Sequence, residues 1–196
     1  MAATVPSEPG GRLSIELLTF EHGRMIRPSA SVSPSTLELS NSDHMNNFHH
    51  ALTHFYEAPA AGLSRSSENA ASVIERALEE LLVHYPAAAG RLHVNEPQKR
   101  LEVQCNGDGV FFLVAHAGVP LSHLGNVASA HPSFDLLIPS LPSDQELIGP
   151  PLMAIQGAWQ NGTVLSIRTF EELFASTLAS LIHRDLWFKQ PFPHLK

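Results

Sequence analysis

One amphipathic segment constrains this chain more than any other. Over residues 69–85, Val73, Ile74, Ala77, Leu78, Leu81 and Leu82 recur at i, i+1, i+4, i+5, i+8 and i+9. On a helix of 3.6 residues per turn that spacing makes a single apolar stripe. Glu75, Arg76, Glu79 and Glu80 fill the other face, with Arg76 and Glu80 at pairing distance. Pro86 stops the helix and Gly90 turns the chain. Such a stripe serves packing rather than ligand binding, so the chain must supply a surface for it to cover.

Short β-competent runs supply that surface: residues 13–20, 36–39, 100–104, 110–116, 152–156 and 163–167. The turn N-G-D-G at 106–109 carries hairpin chemistry and predicts that the runs on either side of it pair. Phe48, Ala51, Leu52, Phe55 and Tyr56 recur at helical spacing and predict a second helix. Residues 169–172 (T-F-E-E) form a capping box opening a third, in which Leu173, Phe174, Thr177, Leu178, Leu181 and Ile182 repeat the double stripe. Residues 27–35 (R-P-S-A-S-V-S-P-S) are an extended linker, and 117–151, with prolines at 120, 132, 139, 142, 150 and 151, form a long loop. The class is α/β, a mixed sheet with flanking helices. Residues 1–12 are expected to be a flexible leader, and 13–196 a single domain.

Charge and cysteine usage narrow the partners. Lys plus Arg number 12 against 19 Asp plus Glu, a net charge of -7 with no basic cluster, which argues against nucleic acid and against an anionic membrane surface. Cys105 stands alone and can close no internal disulfide. The first ten residues show neither a basic start nor an apolar core of a secretory signal, and 109–125 is too short and broken to cross a membrane. A cytoplasmic location is expected, where the sequon at 161–163 stays idle.

The 12 histidines invite a metal or catalytic reading, since an imidazole titrates near neutral pH. His44, His49, His50 and His54 lie within eleven residues, and on a helix His50 and His54 would share a face. No glutamate sits between them in the H-E-x-x-H arrangement. They are read as structural or surface histidines, with no bound metal.

Four segments, in order, resemble the N-terminal half of the plant BAHD acyltransferases. Residues 34–43 (P-S-T-L-E-L-S-N-S-D) are similar to that family's early proline segment ending in L-S-x-x-D. The helix running into 85–92 (Y-P-A-A-A-G-R-L) resembles its aromatic-P-x-A-G-R-L. Residues 101–112 (L-E-V-Q-C-N-G-D-G-V-F-F) resemble its strand, C-N-x-x-G-V turn and second strand, and 151–156 (P-L-M-A-I-Q) its P-L-x-x-Q. The resemblance implies a chloramphenicol acetyltransferase-like N-terminal half, present here as a partial domain. It implies acyl-CoA as co-substrate rather than a bound cofactor, and a small-molecule hydroxyl or amine as acceptor.

In the family the chemistry rests on an H-x-x-x-D-G motif one strand beyond P-L-x-x-Q, whose histidine takes the acceptor's proton as general base. Here that strand is 163–167, and the chain runs straight from it into R-T-F-E-E. The motif is missing, and an internal deletion between about Ile167 and Arg168 is the simplest account. His131 and Asp135 match H-x-x-x-D by spelling only. They lie before the P-L-x-x-Q strand, with Pro132 inside the pattern and Leu136 in place of the glycine. His183 and Asp185 have the wrong spacing. No catalytic residue is assigned, and the expectation is an acyltransferase-family chain inactive or strongly impaired alone. The alternatives are a non-catalytic binding module, which would dock on a full-length relative, or a non-functional splice or truncation product.

Overall fold

The computed structural model describes residues 18–45, 50–57, 67–118, 124, 127, 132–141, 148–159 and 162–169. Nine strands and two helices succeed one another among them as β1 (Leu18–Phe20), β2 (Arg24–Ile26), β3 (Ser35–Glu38), α1 (Asn41–Met45), β4 (His50–Glu57), α2 (Ser67–His84), β5 (Arg91–Asn95), β6 (Arg100–Cys105), β7 (Val110–Ala117), β8 (Met153–Trp159) and β9 (Gly162–Thr169). Short 3-10 helices occupy Pro86–Ala89 and Pro132–Leu137.

The strands form two sheets. The larger runs β1-β7-β8-β9-β4, with β2 also pairing β7, and the smaller runs β3-β6-β5. All pairs are antiparallel except β7 with β8. Parallel neighbours need a crossover rather than a tight turn. That requirement explains the long Pro-rich connection between β7 and β8, which contributes the 3-10 turn at Pro132–Leu137.

α2 covers one face of the larger sheet as its stripe requires. Ile74, Leu78, Leu81 and Leu82 are buried against Ile26, Val110, Phe112, Val114, Met153, Ile155 and Ile167. Each such side chain removed from water stabilises the fold by about 1.5–3 kcal/mol. The polar face of α2 is also used: Glu75 accepts two hydrogen bonds from Arg24 on β2, Nε to Oε1 at 3.0 Å and Nη2 to Oε2 at 2.7 Å. Arg24 lies over the Phe112 ring, 5.5 Å from its centroid. The opposite sheet face carries a smaller cluster of Leu18, Ala115, Leu137 and Ala158, joined by Phe55, Phe134 and Leu136. A third cluster, Leu39, Leu92, Val103, Cys105 and Leu152, belongs to the smaller sheet.

Two expectations are corrected. Residues 50–57 form strand β4, not a helix, paired with β9 from His50↔Thr169 to Glu57↔Gly162. Both faces of β4 are covered, Leu52 and Tyr56 by the α2 side and Phe55 by the other, so the strand shows no polar alternation and its apolar spacing imitates a helix. The turn at 106–109 is no hairpin either, because it carries the chain from β6 in the smaller sheet to β7 in the larger. The hairpin is instead β5–β6, turning through 96–99 with Lys99 at φ 53° and Lys99 paired with Glu96. The leader at 1–12 and the third helix fall outside the described residues. Among the described residues no helix is long and apolar enough to cross a membrane.

Candidate functional site

The strand matching P-L-x-x-Q and its hairpin partner define where the chemistry of the resembled family would lie. β8 and β9 pair from Met153↔Thr169 to Trp159↔Thr163, and β4 continues the ladder. Register places Gln156, Ser166 and Thr53 on one rung and one face, and Ile155, Ile167 and Leu52 on the opposite, α2-facing side. The polar rung is buried at Gln156 and Ser166. Gln156 Nε2 donates to the Leu136 carbonyl at 3.3 Å, which seats the 3-10 turn on the sheet. The Ser166 and Thr53 hydroxyls bond to each other at 3.0 Å. A nucleophilic hydroxyl needs an adjacent base. Alternation sends the nearest imidazole on β4, His54, to the other face of the sheet from Thr53.

β9 does not stop at Ile167. Arg168 pairs with Ala154 and Ala51, and Thr169 with Met153 and His50, so the ladder runs unbroken through the point where the resemblance implies a deletion.

The candidate residues are dispersed. His131 lies outside the described residues. Asp135 is exposed on the 3-10 turn, and its carbonyl accepts from Ile138 N–H at 3.1 Å. Phe134 beside it packs on Phe55 with centroids 5.4 Å apart. His44 sits on α1, and His49, His183 and Asp185 are not described. His50 and His54 share a face of β4, but four strand residues separate them by about 13 Å, too far to ligate one ion. Among the described residues no group of three or more His, Cys, Asp or Glu is placed to hold a metal. His54 Nε2 is buried without a hydrogen-bond partner among the described residues, and burial pushes its pKa below the ordinary value. Tyr56, stacked beside it at 6.3 Å, is pushed up by burial.

The segments that carry the resemblance are joints. In L-S-x-x-D, Ser40 and Asp43 form a reciprocal capping box at the start of α1: Ser40 N–H donates to Asp43 Oδ2 at 2.7 Å, and Asp43 N–H to Ser40 Oγ at 3.3 Å. Leu39 before it is buried. In Y-P-A-A-A-G-R-L, the 3-10 turn buries Ala88 and Ala89, and Gly90 is held so close that a Cβ would lie 2.5 Å from the Gln104 carbonyl oxygen. Arg91 Nη1 then donates to Gly90 O at 2.7 Å and across to Gly109 O at 2.9 Å. Gly109, the last glycine of the N-G-D-G turn, returns a bond from its N–H to Ala89 O at 3.0 Å. Two motifs 18 residues apart thus lock together. Burial lowers the Arg91 pKa, Asp108 opposes that shift and Arg27 adds to it. Sequence reasoning missed this lock, the Arg24–Glu75 clamp and the Gln156 tether, since each joins residues distant in the chain.

A profile described as the Transferase family matches residues 17–167. The chain belongs to this family, that of the plant BAHD acyltransferases. It is 37% identical over 136 residues to a taxadien-5-alpha-ol O-acetyltransferase of Taxus chinensis, covering 67% of this chain and 30% of that protein. It is 39% identical over 132 residues to a baccatin III:3-amino-3-phenylpropanoyltransferase of Taxus cuspidata, covering 67% and 29%. The acyltransferase GLAUCE of Arabidopsis thaliana is 31% identical over 181 residues, 85% of this chain and 39% of that one. The BAHD fold is equally clear. Vinorine synthase superposes with a TM-score of 0.59 at 21% identity, over 78% of this chain and 37% of its own. F. sporotrichioides TRI101, solved with coenzyme A and T-2, gives 0.56 at 11% identity, over 81% and 42%. This BAHD chain therefore spans about a third of the length of the relatives it matches.

Proposed function

We propose that the chain is an acyl-CoA-dependent acyltransferase framework without its general base, inactive or strongly impaired on its own. The observation that carries this reading is β9: the strand after P-L-x-x-Q is in place, yet it runs through Arg168 and Thr169 and the sequence continues F-E-E with no histidine and no Asp-Gly pair. Relatives named as an O-acetyltransferase and a 3-amino-3-phenylpropanoyltransferase, and a fold neighbour solved with coenzyme A, support an acyl-CoA donor and a small-molecule hydroxyl or amine acceptor. The exposed position of Asp135 supports reading His131 and Asp135 as a coincidence of spelling, because the carboxylate faces solvent on a 3-10 turn. The buried free Cys105 supports a reducing compartment such as the cytoplasm.

The test combines the purified chain with acetyl- and hydroxycinnamoyl-CoA and a panel of alcohols and amines. The expected result is no acyl transfer above background, with any trace rate unchanged by His131→Ala or Asp135→Ala. Loss of a measurable rate on either substitution would reverse the assignment.

A further inference from the structure

We propose that Asn106 is a site of spontaneous deamidation, and that this modification loosens the joint between the two sheets. The turn at 106–109 is the connection from β6 to β7, hence from the smaller sheet to the larger. Asn106 is exposed and precedes Gly107, which has no side chain to shield its nitrogen. Asp108 N–H donates to Asn106 Oδ1 at 3.2 Å, closing a ring that contains the Gly107 nitrogen. Asn106 Nδ2 donates to Asp108 Oδ2 at 2.6 Å. Features that favour cyclisation are thus assembled: an unhindered nucleophile and a donor on the oxygen that gathers negative charge, with the Asp108 carboxylate holding the amide nitrogen in place.

In the first step hydroxide takes the Gly107 N–H proton as that nitrogen bonds to Asn106 Cγ, and water returns a proton to Nδ2. The Cγ–Nδ2 bond breaks, the nitrogen leaves as ammonia, and a five-membered succinimide remains. Water then opens the ring at either carbonyl, giving aspartate or isoaspartate. One water is consumed, one ammonia is released, and no oxidant or reductant is required.

The product changes both the charge and the length of the turn. A carboxylate replaces the amide that donated to Asp108, setting like charges at hydrogen-bond distance. Isoaspartate also lengthens the main chain by one methylene. Three residues on, Gly109 sits at φ 93° with a Cβ position 2.2 Å from the Ile26 carbonyl oxygen, and it bonds to both Ala89 and Arg91. Strain at residue 106 is therefore transmitted to the lock that holds Y-P-A-A-A-G-R-L against β7.

The experiment incubates the intact chain at neutral and mildly alkaline pH, in buffer and in denaturant, and follows Asn106 by peptide mapping with isoaspartate detection. Asn106 is expected to convert in the folded chain at least as fast as in the denatured one. Asp108→Ala releases the Asn106 side chain from this orientation and should slow the folded rate about tenfold while leaving the denatured rate alone. Asn106→Asp, made directly, should melt below the parent and speed hydrogen exchange at the Gly109 amide. An Asn106 that stays intact in the folded chain while the denatured chain converts overturns the site. An Asn106→Asp chain with unchanged melting and Gly109 exchange overturns the loosening.

Discussion

Replacing Arg91 by alanine should cost far more than its position beside a turn suggests. Its Nη1 holds two main-chain carbonyls, Gly90 O at 2.7 Å and Gly109 O at 2.9 Å, on buried glycines from different motifs. A hydrogen bond to a charged group contributes about 1.5–3 kcal/mol. Arg91 is half-buried, so water replaces part of the loss, and about 2–3 kcal/mol in total is expected after that discount. With a urea slope of about 1–3 kcal/mol per molar, the midpoint should fall by about 1 M at unchanged slope. Arg91→Lys should fall between parent and alanine, because an ammonium lacks the rigid fork of a guanidinium. Arg76→Ala, on the exposed side of α2, is the control and should stay within about 0.5 kcal/mol of the parent. The assay is equilibrium urea unfolding followed by circular dichroism. An Arg91→Ala midpoint indistinguishable from that of Arg76→Ala would refute the idea that the two motifs are locked through this side chain.

The same geometry sets three further outcomes. His54 is held below its ordinary pKa by burial, so the unfolded chain binds its proton first and stability should fall as pH drops below about 6.5. Tyr56 is held above its ordinary value, so stability should also fall as pH rises past about 10. Melting temperatures across pH should show both limbs, His54→Leu removing part of the acid limb and Tyr56→Phe part of the alkaline one. Gly109→Ala should destabilise by on the order of 3 kcal/mol or more, since φ 93° and an oxygen 2.2 Å away strain any Cβ, and chemical denaturation measures it. Gln156→Leu removes the donor to Leu136 O and should cost about 1 kcal/mol while speeding hydrogen exchange at the Ile138 amide, which the seated turn protects.

What was legible in the sequence depended on whether one face or two needed covering. α2 was readable because one side of it meets the sheet and the other meets water, so its period survives in Ile74, Leu78, Leu81 and Leu82. β4 resembles a helix in sequence because apolar groups cover both of its faces, leaving Ala51, Leu52, Phe55 and Tyr56 at a spacing that suits a helix equally well. β5 is not legible in the sequence, since Arg91, His93 and Asn95 give it a polar cast behind the Gly90 turn. The N-G-D-G turn has the residues of a hairpin, but its partners lie in different sheets, and local turn chemistry carries no information about which strands will pair. At the site, the family was legible from motif order. The roles of Ser40, Arg91 and Gln156 were not, because a cap, a cross-motif lock and a tether exist only once distant carbonyls and amides are brought together.

The proposed function requires that this chain keep an acyltransferase framework and lack the group that takes the acceptor's proton. The most direct measurement is the rate of free coenzyme A release from acetyl-CoA by the folded, cooperatively melting chain in the presence of alcohol and amine acceptors. Loss of a general base alone lowers rate by about 10²–10⁴-fold, and release is predicted to match the protein-free control. Saturable release that scales with protein concentration and yields acylated acceptor would contradict the account.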